Sequence, residues 1–267
     1  MNRGDRRDPF AARADRPGGG WGEDIRVAAA FLTRLPLALD EVPPPGRLAG
    51  AARAFPVVGA AVGLVAGLAY GVAWGLGLPP FLAASAALAV QVTLTGALHE
   101  DALADLADGF GGGRDAKHAL GIMRDSRLGT FGAVALFLSL AMRLGALATL
   151  AEPGAAVAAL IAAGAVSRTG MGWVMARLAP VRRDGLGAAA GRPATADLYL
   201  ATAIAGAVAL LVPSLSVALA ALAGAALGVV AVAALARRRI GGHTGDVLGT
   251  CQQAGEICFL LVAAAMA

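Results

Sequence analysis

Apolar runs close to the roughly twenty residues that cross a bilayer's hydrocarbon recur along the chain. They lie at 54–76, 80–98, 129–150, 154–176, 198–213, 215–235 and 247–266, with polar residues gathered in the segments between them. The pattern predicts an all-α, polytopic integral membrane bundle with six or seven transmembrane helices. The fifth run is the marginal one, because Pro213 shortens it toward the length of a tilted or re-entrant segment. Ahead of the first run, WGEDIRVAAAFLTRLPLAL gathers its apolar residues on one helical side, with Glu23, Arg26 and Arg34 interrupting. That stretch is too short and too charged to cross, so an interfacial helix over about 24–39 is expected there. EVPPPG at 41–46 then breaks the chain before the first crossing.

Composition agrees with this pattern. Of the 267 residues, 58% are hydrophobic and 15% charged, and the mean hydropathy is +0.69, well outside the soluble range. The first twenty residues are polar and Arg-rich and lack the apolar core of a signal peptide. A disordered tail over 1–20 is expected, followed by a single membrane-embedded domain over 21–267. Small residues at four-residue spacing, as at Gly59, Gly63 and Gly67, predict closely packed helices; a homo-oligomer is compatible with such faces. Cys251 and Cys258 read as small buried residues, since two cysteines build neither a disulfide framework nor a thiolate metal cage.

An isoelectric point near 9.8 raises nucleic acid as a partner, but the placement of the charge argues against it. Of the 22 Lys and Arg, nine precede the first run, four lie in 99–128, four in 177–197 and three at 237–239. With a cytoplasmic N-terminus and seven crossings, all of these face the cytoplasm, and the loops around Leu78, Glu152 and Pro213 carry none. Basic charge here sets topology rather than binding nucleic acid. Some of these arginines remain suited to anionic lipid or a phosphorylated ligand.

Against that background HEDALADLADGFGGGRD, at 99–115, stands out. Asp101, Asp105 and Asp108 follow at i, i+4 and i+7, which puts them on one helical face. Three like charges on one face repel unless a cation lies between them, and carboxylates are hard ligands suited to Mg²⁺ or Mn²⁺. The alternative is a solvated helix end that only marks the membrane boundary. Acids do little for topology, however, and boundary charges are normally Lys and Arg. A helix from Pro80 to Leu98 uses up about 28 Å, so the acids are expected at headgroup level, within reach of soluble ligands.

Other polar clusters fall at the same membrane face. GFGGG at 109–113 matches no phosphate-loop fingerprint and is expected to end the acidic helix. Lys117, Arg124 and Arg127 follow, the last two about one turn apart and suited to phosphate oxygens; a purely topological role is the alternative. GGHTGDVLGTCQQAGE brings His243, Thr244, Asp246, Gln252 and Gln253, of which Asp246 is placed to add a metal ligand or a base. Histidines at 99, 118 and 243 lack zinc-like spacing. Within the apolar runs, Glu256, Arg143 and Arg168 read first as a structural ion pair and second as transport residues.

HEDALADLADGFGGG, IMRDSRLGTFG and GGHTGDVLGTCQQ, together with FLTRLPL, resemble the cobalamin synthase family, the adenosylcobinamide-GDP ribazoletransferases. The resemblance runs from about Ile25 to the C-terminus. One departure is visible: the family usually has Gly where this chain has Ala102. The resemblance implies a Mg²⁺-dependent enzyme of the bacterial inner membrane. In its reaction the ribose 3′-hydroxyl of α-ribazole, or of its 5′-phosphate, attacks the cobinamide-bearing phosphorus of adenosylcobinamide-GDP, and GMP leaves. It further implies that Asp101, Asp105 and Asp108 hold Mg²⁺ against the diphosphate. Arg124 and Arg127, with Lys117 and His243, would meet substrate, and Asp246 would be a further ligand or base. A CDP-alcohol phosphotransferase is less consistent, because Ala104 is followed by Asp105 rather than Arg, and the expected aspartate pair on the next helix is missing. A secondary transporter is the reading from another class.

Overall fold

The computed structural model describes residues 20–37, 46–182 and 190–267, and every regular element among them is a helix. The expected tail lies outside the described residues except for Gly20. The expected interfacial helix is α1 (Trp21–Leu32), which ends well short of residue 39; residues 38 and 39 are not among those described. Its Asp24 is buried between Arg47 and Arg53, each at 2.6 Å, and these pairs pin α1 to the chain that follows.

A short helix α2 (Arg47–Gly50) and a 3₁₀ turn (Ala51–Ala54) lead into α3 (Phe55–Gly75). Then come α4 (Pro80–Thr95), α5 (Leu98–Gly112), α6 (Ala116–Ile122) and α7 (Thr130–Leu150). The chain finishes with α8 (Pro153–Arg177), α9 (Thr195–Ala209), α10 (Leu215–Ile240) and α11 (Gly245–Ala265). Among the described residues, helices α3, α7, α8, α10 and α11 are the five long and apolar enough to cross a membrane, and the bent pair α4 and α5 makes a sixth at most. This is a multi-pass membrane protein. The marginal fifth run becomes α9, a short apolar helix of 15 residues.

The run expected over 80–98 stops early. Gly96 and Ala97 are both left-handed, at φ +64° and +56°. The Ala97 amide donates to Val92 O and the Gly96 amide to Thr93 O, at 2.9 and 3.2 Å, which is a Schellman closure. The acidic block is therefore not the end of a straight crossing. It is a separate helix, turned by 86° from α4, that runs from Arg143 and Gln253 in the bundle interior to the start of α7.

Helices α3 and α8 cross closely enough that only glycine fits. A Cβ at Gly59 would lie 2.1 Å from Gly164 O, and one at Gly63 2.2 Å from Leu160 O, so the small-residue spacing does the packing expected of it. One apolar core surrounds Tyr70, Leu147, Leu160 and Phe259. A second, at the α5 end, surrounds Leu32, Phe55, Leu106 and Met171.

Buried polar side chains from five helices meet at Glu256. Its carboxylate accepts from Gln91 Nε2 of α4 at 2.7 Å and Gln252 Nε2 of α11 at 2.6 Å. Arg143 of α7 lies 3.5 Å away and Arg168 of α8 3.9 Å away, and both arginines are fully buried. Arg143 also donates to Glu100 of α5 at 2.9 Å, and Gln253 reaches the same oxygen at 3.1 Å. The geometry is that of the structural ion pair read from the sequence, enlarged by a second carboxylate. It ties the first turn of the acidic helix to the bundle interior.

Candidate active site

Helix α5 is held at its other end by Asp108. Its Oδ2 accepts from the Gly129 amide at 2.7 Å and its Oδ1 from the Gly132 amide at 2.9 Å. These are free donors at the start of α7, whose own N-cap position, Gly129, supplies no side-chain acceptor. A Cβ at Gly129 or at Gly132 would fall 2.4 Å from that carboxylate, so LGTFG is the receptacle for Asp108. Asp108 shares the predicted helix with Asp101 and Asp105, but its carboxylate is occupied with the fold. Asp108→Ala is expected to lower stability by about 1–2 kcal/mol, the scale of a lost helix cap, read as a lower unfolding midpoint in detergent.

Asp101 is exposed and Asp105 half-buried on α5, and the N-terminus of α11 packs beside them. Thr250 Oγ1 reaches Ala102 O at 3.0 Å, and a Cβ at Gly249 would lie 2.4 Å from that of Ala102. Ala102 thus faces helix α11, and a methyl there is met by glycine on the neighbour. Thr244 caps α11, accepting from the Val247 amide at 3.3 Å, and its hydroxyl also donates to Asp246 Oδ2 at 3.1 Å. A strap closes the end of the bundle. The His243 amide donates to Ala179 O at 2.9 Å and the Val181 amide to His243 O at 3.0 Å. The strap delivers Arg182, whose Nη1 stands 3.6 Å from Asp246 Oδ2 and whose Nη2 donates to Leu120 O at 2.9 Å.

The electrostatic result is concentrated on Asp105. Partial burial, then the charges of Asp101, Asp246 and Asp108, push its carboxyl up to about 7, with Arg182 opposing. A carboxyl poised between its two forms near neutrality is suited to take a cation or to exchange a proton. His243 is buried, and burial lowers its basicity. Its backbone, rather than its ring, makes the strap contacts described above.

The remaining sequence candidates scatter. Arg127 is strongly exposed and forms a forked pair with its neighbour Asp125, the shortest distance being 2.6 Å. Lys117 and Arg124 are exposed on and just beyond α6. GFGGG ends the acidic helix as expected, with Gly112 its last residue and Gly113 its C-cap. Its glycines also serve close contact, since a Cβ at Gly109 would meet Met123 and one at Gly111 the Phe131 ring, each at 2.4 Å. Two further arginines meet this end of the bundle without a local mark in the sequence. Arg182 lies in a loop whose basic residues share one topological pattern. Arg239 caps the acidic helix by donating to Phe110 O at 2.6 Å and Gly113 O at 3.0 Å.

Among the described residues no three carboxylate, His or Cys groups stand close enough to enclose a metal ion unaided. Mg²⁺, however, is usually held by one or two carboxylates, the rest of its shell coming from water and substrate phosphate. One or two of the carboxylates on this face, from the exposed Asp101 and the partly buried Asp105 and Asp246, would suffice for an ion shared with a phosphorylated ligand in that way.

Comparison with known proteins shows the family. A family model described as cobalamin-5-phosphate synthase matches residues 24–264. An adenosylcobinamide-GDP ribazoletransferase of Bradyrhizobium diazoefficiens is 47% identical over 91% of this chain and 93% of its own length. Proteins of the same name from Mesorhizobium japonicum and Rhizobium johnstonii are 45% and 44% identical, over 90% and 89% of the chain and 92% and 94% of their own lengths. No solved structure matches. Matched from α1 almost to the end of α11, the chain belongs to the cobalamin-5-phosphate synthase family.

Proposed function

We propose that this protein transfers the adenosylcobinamide phosphate moiety of adenosylcobinamide-GDP to α-ribazole or its 5′-phosphate, with release of GMP, at the cytoplasmic face of a bacterial inner membrane. The observation that carries the reading is the meeting of Asp101 and Asp105 with Asp246 and Arg182 at one end of an apolar bundle. The names of the relatives supply the substrate. The basic segments before α3 and at the end of α10 lie toward that same end, the orientation expected if it faces the cytoplasm.

In the reaction the ribose 3′-oxygen forms a bond to the cobinamide-bearing phosphorus. The bridging P–O bond to the guanosine side breaks, and GMP departs with the bridging oxygen. Chemistry of this kind asks a protein mainly for positioning and for neutralising charge. Asp101 and Asp105 would hold Mg²⁺, which when bound offsets the negative charge of the diphosphate. Asp246 takes the hydroxyl proton or adds a ligand; Thr244 and Arg182 both address its Oδ2, which fixes the carboxylate's direction. Among the described residues Arg182 pairs with Asp246, and the exposed Lys117, Arg124 and Arg127 offer further charge to a phosphorylated substrate entering from water.

The test is an assay of membranes containing the protein for GMP released from adenosylcobinamide-GDP. Release is expected only with both α-ribazole and Mg²⁺ present, and it should stop with chelator. No GMP under complete conditions, or equal release without α-ribazole, would overturn the proposal.

A further inference from the structure

An apolar groove on the outer wall of the bundle and the FLTRLPL segment at 31–37 take no part in the site above. The groove, of about 340 Å³, lies between α3 and α4 and is lined by Val65, Ala89, Val90, Thr93 and Leu94. Its one hydroxyl, on Thr93, donates back to Ala89 O at 2.7 Å, so the walls offer a ligand no free side-chain donor. What fits is hydrocarbon.

FLTRLPL crosses the end of α4 beside this groove. Thr33 Oγ1 donates to Ala29 O at 2.6 Å and accepts from the Leu35 amide at 3.3 Å. The Arg34 amide donates to Leu94 O at 2.8 Å, which attaches the segment to a residue of the groove wall. Leu35 and Leu37 are exposed. The Arg34 side chain lies over Gly96, with Cγ 2.3 Å from where a Cβ would stand. Ala89 and Thr93 share one face of α4 and Gly96 caps its end, so this cation lies at the end of α4 that the groove approaches. The Arg34 side chain is exposed and meets no acceptor among the described residues.

We propose that groove and segment together bind one anionic glycerophospholipid, an acyl chain lying along Val65, Ala89, Val90 and Leu94 and the headgroup phosphate meeting Arg34. Bilayer tails are as apolar as the groove, so occupancy by a chain gives little discrimination between lipids. Selectivity arises at the guanidinium, whose planar fork of donors matches phosphate oxygens. Because Arg34 rests on the residue where α4 gives way to the acidic helix, a bound headgroup buttresses that bend. The proposal stands apart from the transfer reaction.

The experiment is native mass spectrometry of the full chain released from nanodiscs of mixed phosphatidylcholine and phosphatidylglycerol. Wild type is expected to retain phosphatidylglycerol preferentially, and Arg34→Gln to lower that preference about fivefold, the scale of one basic group near a lipid surface. Arg34→Lys should keep most of it. Ala89→Trp, at an exposed position, should fill the groove and release the retained lipid. Arg237→Gln, at the exposed end of α10, should change nothing. Unaltered preference in Arg34→Gln, or an equal loss in Arg237→Gln, would overturn the site. Retention in Ala89→Trp would also overturn it, by reducing it to a headgroup contact without a chain.

Discussion

Asp105→Asn is expected to lower transfer activity by a factor on the order of 10²–10³, the scale seen when a main electrostatic group of an active site is removed. The same substitution should leave the chain as stable as wild type, or more so, when unfolding is followed in chelator at pH 8. The sign follows from the position of Asp105 among Asp101, Asp246 and Asp108. Its carboxyl titrates at about 7 in the folded protein, against 3.8 ordinarily. Folding therefore favours the protonated form, and stability falls as pH rises between those two values, with the whole penalty present above the upper one. Asn carries no charge and escapes the penalty. The gain should be visible at pH 8 and vanish toward pH 4. An unfolding midpoint that drops at pH 8 together with activity would make Asp105 a structural residue.

Glu256→Gln is expected to act in the opposite way, lowering stability first. Its carboxylate lies 3.5 Å from Arg143 and 3.9 Å from Arg168, and both guanidinium groups are fully buried. Neutralising it leaves these two cations with Glu100 as their remaining buried counter-charge. Uncompensated buried charge of this kind costs about 3–5 kcal/mol. Gln would also turn an amide donor toward Gln91 or Gln252, each of which now donates to Glu256. The check is the unfolding midpoint in detergent and the yield of folded protein. A variant that is fully stable yet inactive would place Glu256 in chemistry or transport and remove it from the scaffold.

The helical membrane fold was legible because it depends on one-dimensional quantities, namely run length and hydropathy. What was not legible depends on backbone handedness at two residues. LTGALHED offers Gly96 as a helix end but no proline, and Ala97 is an ordinary helix former, so the stretch does not dictate a turn of 86°. For the acids, spacing correctly put Asp101, Asp105 and Asp108 on one helix. It could not tell which carboxylate a neighbouring helix would claim, since the donors that occupy Asp108 come from Gly129 and Gly132, more than twenty residues on. Asp246 was singled out from the chain alone by topology, and the structure brings it beside Asp105. Arg182 was missed for the converse reason: a basic residue in a basic loop carries no local mark, and only the pairing of 179–181 with His243 delivers it to Asp246. Ala102 stood out as a departure from the family pattern, and its neighbour Gly249 supplies the missing space.

The seat of Asp108 in the first turn of α7 also bears on how such sequences can drift. Gly129 and Gly132 lack side chains at the points where the Asp108 carboxylate rests, so a methyl at either position blocks the acid, and a longer acid at 108 runs into the same backbone. The three positions form one structural unit. Shortening residue 108 would open space for a methyl at 129, whereas at 132 a methyl would still meet Leu128 and Ala104 O, at 2.9 and 3.0 Å.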